Sequence, residues 1–203
     1  MDGTTLAYCV AGRAVAAFLQ GGRLTSVVAD AGRPPWQQVV YEPPASVETR
    51  MFVRGPDGAM RPTTDEEQRA DARRQVLRAR AVVVAAGPVA LALRDRTPAQ
   101  EGRPAGEERW FDPLALEMEP DAAPERIAEL YRRAAAQARR LLEKPKSWSA
   151  VEEVARALAA AGRLKGAEAV GAILTGRGGR TATPAIGGTQ PLSTYRARLR
   201  RGG

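Results

Sequence analysis

A mainly helical α+β fold, with a small antiparallel sheet set after the first helix, is what this sequence predicts. Three observations predict it. Apolar residues recur at helical spacing over residues 4–20 and again after Pro124. Between them, from Arg23 to Arg54, lie short β-branched stretches punctuated by Gly and Pro. The run from Ala81 to Leu93 is apolar on every side, which marks a buried helix for the others to pack around.

In residues 4–20, Leu6, Val10, Ala14 and Ala17 share one helical face, with Cys9 and Phe18 beside them. Asp2 or Thr4 can cap the start, and Gly21-Gly22 stop the helix. Arg23 to Asp30 reads as a first strand, Trp36 to Tyr41 as a second and Val47 to Arg54 as a third. Ala31 to Pro35 makes a turn, Pro43-Pro44 close the second strand, and Gly55-Pro56-Asp57-Gly58 has the composition of a hairpin turn. Thr64 opens a long helix, with Asp65, Glu66 and Glu67 where the helix dipole favours acids. Its part from Arg69 to Arg80 is charged and solvated, and Pro88 is expected to kink the apolar remainder.

Arg94 to Trp110 is polar and rich in Pro and Gly, the composition of a loop. Pro124 suits a first helical position, and Ile127, Leu130, Tyr131, Ala134, Ala138, Leu141 and Leu142 form a stripe that Pro145 ends. Ser149 and Glu152 have the spacing of a capping box, opening a helix with Val151, Val154, Ala155 and Leu158 on one face and Gly162 at its end. Val170, Ile173 and Leu174 belong to one more short helix. Few large apolar residues follow, so residues 1–175 are expected to form the domain and residues 176–203 a mobile tail.

Composition narrows the chemistry. The chain has no histidine, which excludes Ser-His-Asp and Cys-His catalysis and removes the commonest zinc ligand. Its single cysteine excludes an internal disulfide framework. The net charge of +8 is uneven, because residues 176–203 hold six arginines and no acid. These are Arg177, Arg180, Arg196, Arg198, Arg200 and Arg201, and they offer an anionic partner a binding surface, with Tyr195 among them able to stack on a base. A solubilising terminus explains the same residues equally well. Met1-Asp2-Gly3 lacks the cationic region of a signal peptide, and the longest apolar run has 13 residues against the roughly 20 a span needs. A soluble, cytoplasmic protein without a membrane span is expected.

Tyr8-Cys9-Val10-Ala11-Gly12-Arg13-Ala14 resembles the Tyr-His-Glu-Ala-Gly-His-Ala motif of FtsH-type zinc metallopeptidases. Ala86-Gly87-Pro88-Val89-Ala90 is similar to that family's Ala-Gly-x-x-Ala-Glu segment, with Leu91 where the Glu falls. The helices after Trp148 and the Leu164-Lys165-Gly166 segment resemble the end of its peptidase domain, so the likeness spans about residues 4–175. The resemblance implies an FtsH-peptidase-like helical domain. In the family, two histidines four apart hold Zn²⁺ and the Glu between them is the general base. Here Cys9, Val10 and Arg13 stand at those positions, so the site is degenerate, with no catalytic residue and no cofactor expected; zinc enters only if the resemblance were functional.

The family's third ligand is an acid on a later helix, and Asp112 is the best match, with Asp121 second. Neither the family's membrane anchor nor its ATPase module is recognisable in this sequence. The expected function is that of an inactive, pseudopeptidase-like binding or assembly module for an unknown protein partner; the oligomeric state is not legible. One alternative is a divergent, ATP-independent metallopeptidase or hydrolase with a non-standard site built from Cys9 and acids such as Asp112, though a nucleophilic thiol needs a base and the packed-thiol reading is simpler. A second is a nucleic-acid-associated protein led by its tail. At the former metal seat, Arg13 is expected to bind Asp112, or another nearby acid, through two parallel hydrogen bonds.

Overall fold

The computed structural model describes residues 2–30, 32–33, 38–43, 52–54 (backbone only), 58–97 and 104–179. The first helix, α1 (Gly3–Leu19), begins where Asp2 accepts the Thr5 N–H at 2.7 Å, so Asp2 is the cap. Gly21 closes it with φ 83°, and the Gly22 N–H bonds back to the Ala17 carbonyl at 2.9 Å. The periodicity predicts one buried face, but every residue from Leu6 to Ala17 is buried except half-buried Tyr8. Small side chains all round this helix let neighbours close in on each side, so it is the axis of the domain.

The chain then enters a three-stranded antiparallel sheet of β1 (Arg23–Val28), β2 (Val39–Glu42) and β5 (Arg163–Lys165), in the order β2-β1-β5. Val27 faces Val39 and Leu24 faces Tyr41, with an irregularity between Leu24 and Ser26. A second sheet pairs β3 (Phe52–Arg54) with β4 (Met60–Pro62). Phe52–Arg54 of the expected third strand belong to this sheet, and its residues 47–51 lie outside the described residues. So do Trp36 of the expected second strand and residues 55–57 of the expected hairpin turn. The three-residue strands β4 and β5 are too short to carry a periodic signal, and the sequence alone does not announce them.

Helix α2 (Asp65–Arg94) opens on a capping box: Thr64 Oγ1 accepts the Glu67 N–H, and Glu67 Oε2 accepts the Thr64 N–H at 2.9 Å. Arg61 adds an ion pair to Glu67, whose carboxyl is pulled down to about 2 by that guanidinium first and by the Thr64 N–H second. Most of the second half, from Ala81 to Ala90, is buried against α1. By length and composition α2 could cross a membrane, the one such helix among the described residues; 56% of its apolar window is already buried inside the fold, as in a core helix. Helices α1 and α2 approach closely at Gly12, where an added Cβ would lie 2.5 Å from Ala90 Cβ and 2.7 Å from the Ala86 carbonyl oxygen.

Four helices complete the domain: α3 (Glu108–Met118), α4 (Pro124–Leu142), α5 (Pro145–Ala161) and α6 (Gly166–Gly176). Phe111 of α3 meets Tyr131 of α4 edge to face at 5.0 Å between ring centres. The expected stripe of α4 is buried at Ile127, Tyr131, Ala134, Ala138 and Leu142. Helix α5 starts at Pro145 rather than at Ser149, which corrects the capping-box reading. Lys144 is extended, and the fixed φ of Pro145 suits the first helical position, so the helix is under way before Ser149 is reached. Gly162 ends α5 with φ 68°.

Arg177 caps the C-terminus of α6, is half-buried and donates to Ser147 Oγ at 3.4 Å. Of the six tail arginines it is the one whose side chain is described, and it packs against the start of α5. The other five lie outside the described residues.

Candidate functional site

The motif helix carries one charge into the core. Arg13 follows Gly12 on α1 and is only 1% exposed. A guanidinium taken out of water must find a counter-charge and acceptors, or the fold loses several kcal/mol. Two segments supply them here.

The first is Gly87-Pro88 on α2. Pro88 has no backbone N–H, so the Val84 carbonyl four residues earlier loses its ordinary helical donor. Arg13 Nε donates to that oxygen at 3.3 Å. Gly87 makes the approach sterically possible: a Cβ there would lie 2.8 Å from Arg13 Nε, 2.9 Å from Cζ and 2.7 Å from Cys9 Sγ. Pro88 thus frees an acceptor and Gly87 clears the way to it. Pro88→Ala gives Val84 its backbone donor back, so Arg13→Met is expected to cost about 1 kcal/mol less in that background. Denaturant unfolding of the four proteins checks this.

The second is Glu107, at the N-terminal boundary of α3. Arg13 Nη2 donates to Glu107 Oε1 at 2.8 Å, between side chains 1% and 11% exposed. The carboxylate that Arg13 engages is therefore Glu107, which corrects the expectation of Asp112. Asp112 lies half-buried inside α3, beyond its first turn, and Asp121 lies exposed in the turn before α4. The pairing also differs from the expected double hydrogen bond: one arm of the guanidinium goes to Glu107 and another to Val84. Arg13 Nη1 and Glu107 Oε2 are buried without a hydrogen-bond partner among the described residues.

Burial sets the proton affinities around the pair. It pushes the Glu107 carboxyl up, while the Arg13 charge and hydrogen bond pull against it. Burial also pushes the Cys9 thiol above its ordinary value; Arg13 opposes this and Glu107 adds to it. Cys9 is thus a protonated, packed thiol at neutral pH. Val10 is fully buried in the apolar core. These side chains do not fit a dication: one is a cation itself, one is apolar and one is a buried thiol. Among the described residues no three of His, Cys, Asp and Glu come together as a metal site.

A groove of about 550 Å³ opens beside the pair. Its walls are Val39, Val40 and Tyr41 of β2, Val83 and Val84 of α2, and Trp110, Pro113 and Leu114 of α3. Arg13 reaches it from below, and Arg80 and Arg109 are exposed along it. Tyr41 packs on Gly22, where a Cβ would meet its ring carbon at 2.8 Å. Its hydroxyl is buried without a hydrogen-bond partner and is pushed up to about 12 by burial, with Arg80 opposing.

Sequence reasoning missed Glu107 because it lies in a polar stretch that reads as a loop. One signal was available: Pro88 in a helix implies an orphaned carbonyl at Val84 and so a buried donor nearby. The chain matches no protein-family model, and no curated protein matches it.

Proposed function

We propose that this protein is a catalytically inactive, metallopeptidase-like domain that serves as a binding or assembly module. The observation that carries the reading is Arg13. It stands where the resemblance puts a metal ligand, and there it is buried, paired with Glu107 and bonded to the Val84 carbonyl. A fixed guanidinium supplies the positive charge that a dication would supply in a working relative, but it cannot polarise water into hydroxide. The position of the general base holds Val10, which takes no proton. What remains is a rigid helical core with an open, partly cationic groove beside the former site.

The test is turnover. Purified from a host lacking its own contaminating proteases, the protein is expected to leave unfolded casein intact, with or without added Zn²⁺. Hydrolysis that a chelator abolishes and zinc restores would contradict the reading and return the chain to the peptidases.

A further inference from the structure

The groove between β2, α2 and α3 turns an apolar surface to solvent. Val40 and Pro113 in its walls are exposed, Tyr41, Trp110 and Leu114 are half-buried, and Val83 of α2 is buried between them. Val40 is 48% exposed, one of three large apolar side chains left so open among the described residues. Apolar side chains gathered in an open cleft and rimmed by charge mark a contact surface. The rim is cationic. Arg80 of α2 is close enough to Tyr41 of β2 to act on its phenol, and Arg109 of α3 lies over the Trp110 ring at 4.9 Å. The two arginines therefore stand on different walls. Both are exposed, neither is in an ion pair among the described residues, and no acid among those residues lines the groove.

We propose that this groove docks an acidic amphipathic helix of a partner protein, its apolar stripe between the walls and a carboxylate towards each of Arg80 and Arg109. Only side chains open to solvent are needed; the buried arm of Arg13 and the Tyr41 hydroxyl take no part. Charge complementarity selects the occupant. An acid-bearing segment gains from both arginines. A second copy of this chain carries a net charge of +8, and residues 180–203 hold five arginines and no acid, so the same field repels both. A nucleic acid would suit the charge but not the walls, which are largely aliphatic, and Arg109 already covers the Trp110 ring on which a base would stack. The placement of the cations selects the helix. A helix carries acids on both flanks of its apolar stripe, whereas a strand sends alternate side chains away from the groove. This gives a partner class to the binding role put forward above and rests on that role, not on descent from a peptidase.

Fluorescence anisotropy of the full chain with a labelled, end-capped helical peptide of about 15 residues tests this. The peptide carries leucines in one stripe and glutamates on both flanks. One control replaces the glutamates by lysines; another keeps the composition but spreads the leucines round the helix. Saturable one-to-one binding of the first peptide is expected, at least tenfold tighter than either control. Arg80→Glu and Arg109→Glu are each expected to weaken it severalfold, and the double variant is expected to prefer the lysine peptide. Both sites are exposed, so an unchanged urea midpoint shows that the fold is kept. Val40→Asp is expected to weaken the glutamate peptide at least tenfold. No saturable binding up to millimolar protein, equal affinity for the spread-leucine control, or a double variant that still prefers glutamate would overturn the proposal. So would displacement of the peptide by a single-stranded oligonucleotide that binds more tightly, or self-association of the chain that the double variant abolishes. Casein turnover is read separately, so failure here leaves the domain's inactivity standing, and the reverse.

Discussion

Arg13→Met is expected to destabilise the protein by about 3–5 kcal/mol at neutral pH, the usual cost of removing one partner from a buried ion pair. Met matches the Arg stem only as far as Nε, so the space of the lost guanidinium adds to the cost. The rest comes from Glu107, left buried at the base of α3, and from the Val84 carbonyl, left without a donor because Pro88 cannot supply one. The cost should depend on pH in a particular direction. Burial already raises the Glu107 carboxyl, and Arg13 pulls it down; the variant loses that pull, so its carboxyl rises further. A carboxyl whose folded pKa lies above its unfolded value contributes stability below the unfolded pKa and loses it as pH rises through the folded one. The gap between variant and parent is therefore expected to narrow on acidification from neutrality. Urea unfolding at several pH values measures it, and a gap that widens towards acid would contradict the assignment.

Gly87→Ala is expected to cost more than the about 1–3 kcal/mol of ordinary overpacking. The new Cβ would meet Cys9 Sγ at 2.7 Å and Arg13 Nε at 2.8 Å. The far end of an arginine can usually swing aside cheaply, but here it is held by Glu107 and by the Val84 carbonyl, so moving it breaks the pair. The penalty should therefore be non-additive with Arg13→Met, whose flexible thioether has no bond to lose. Denaturant unfolding of Gly87→Ala in the parent and in Arg13→Met checks this, with a smaller penalty expected in the second background.

The helical frame was legible because its signals are long and redundant. Asp2, one of two candidate caps, the Thr64 start, the Pro124 start and the Gly162 stop are local chemistry, and each stands where the sequence allows it. Boundaries slipped where two local signals competed, as at Pro145 against Ser149. Strand β5 was not legible because three residues have no period, and its pairing with β1 joins segments far apart in the chain. The site divides in the same way. That Arg13 must find an acid follows from its place on a buried helix, but which acid does not. Glu107 and Asp112 are five residues apart, and the choice between them depends on where α3 begins.

The central claim is that Arg13 and Glu107 act as one unit in the seat where a metal ligand is expected. A double-mutant cycle with Arg13→Met, Glu107→Leu and the combined variant, read by urea unfolding at neutral pH, tests it most directly. The predicted result is two costly single changes and a double variant within about 1 kcal/mol of the parent, since an apolar pair of similar volume replaces a buried ion pair at little net cost. With single changes of about 3–5 kcal/mol each, that is a coupling of at least about 5 kcal/mol, above the about 0.5–3 kcal/mol usual for residues in contact. Single effects that simply add in the double variant would contradict the claim.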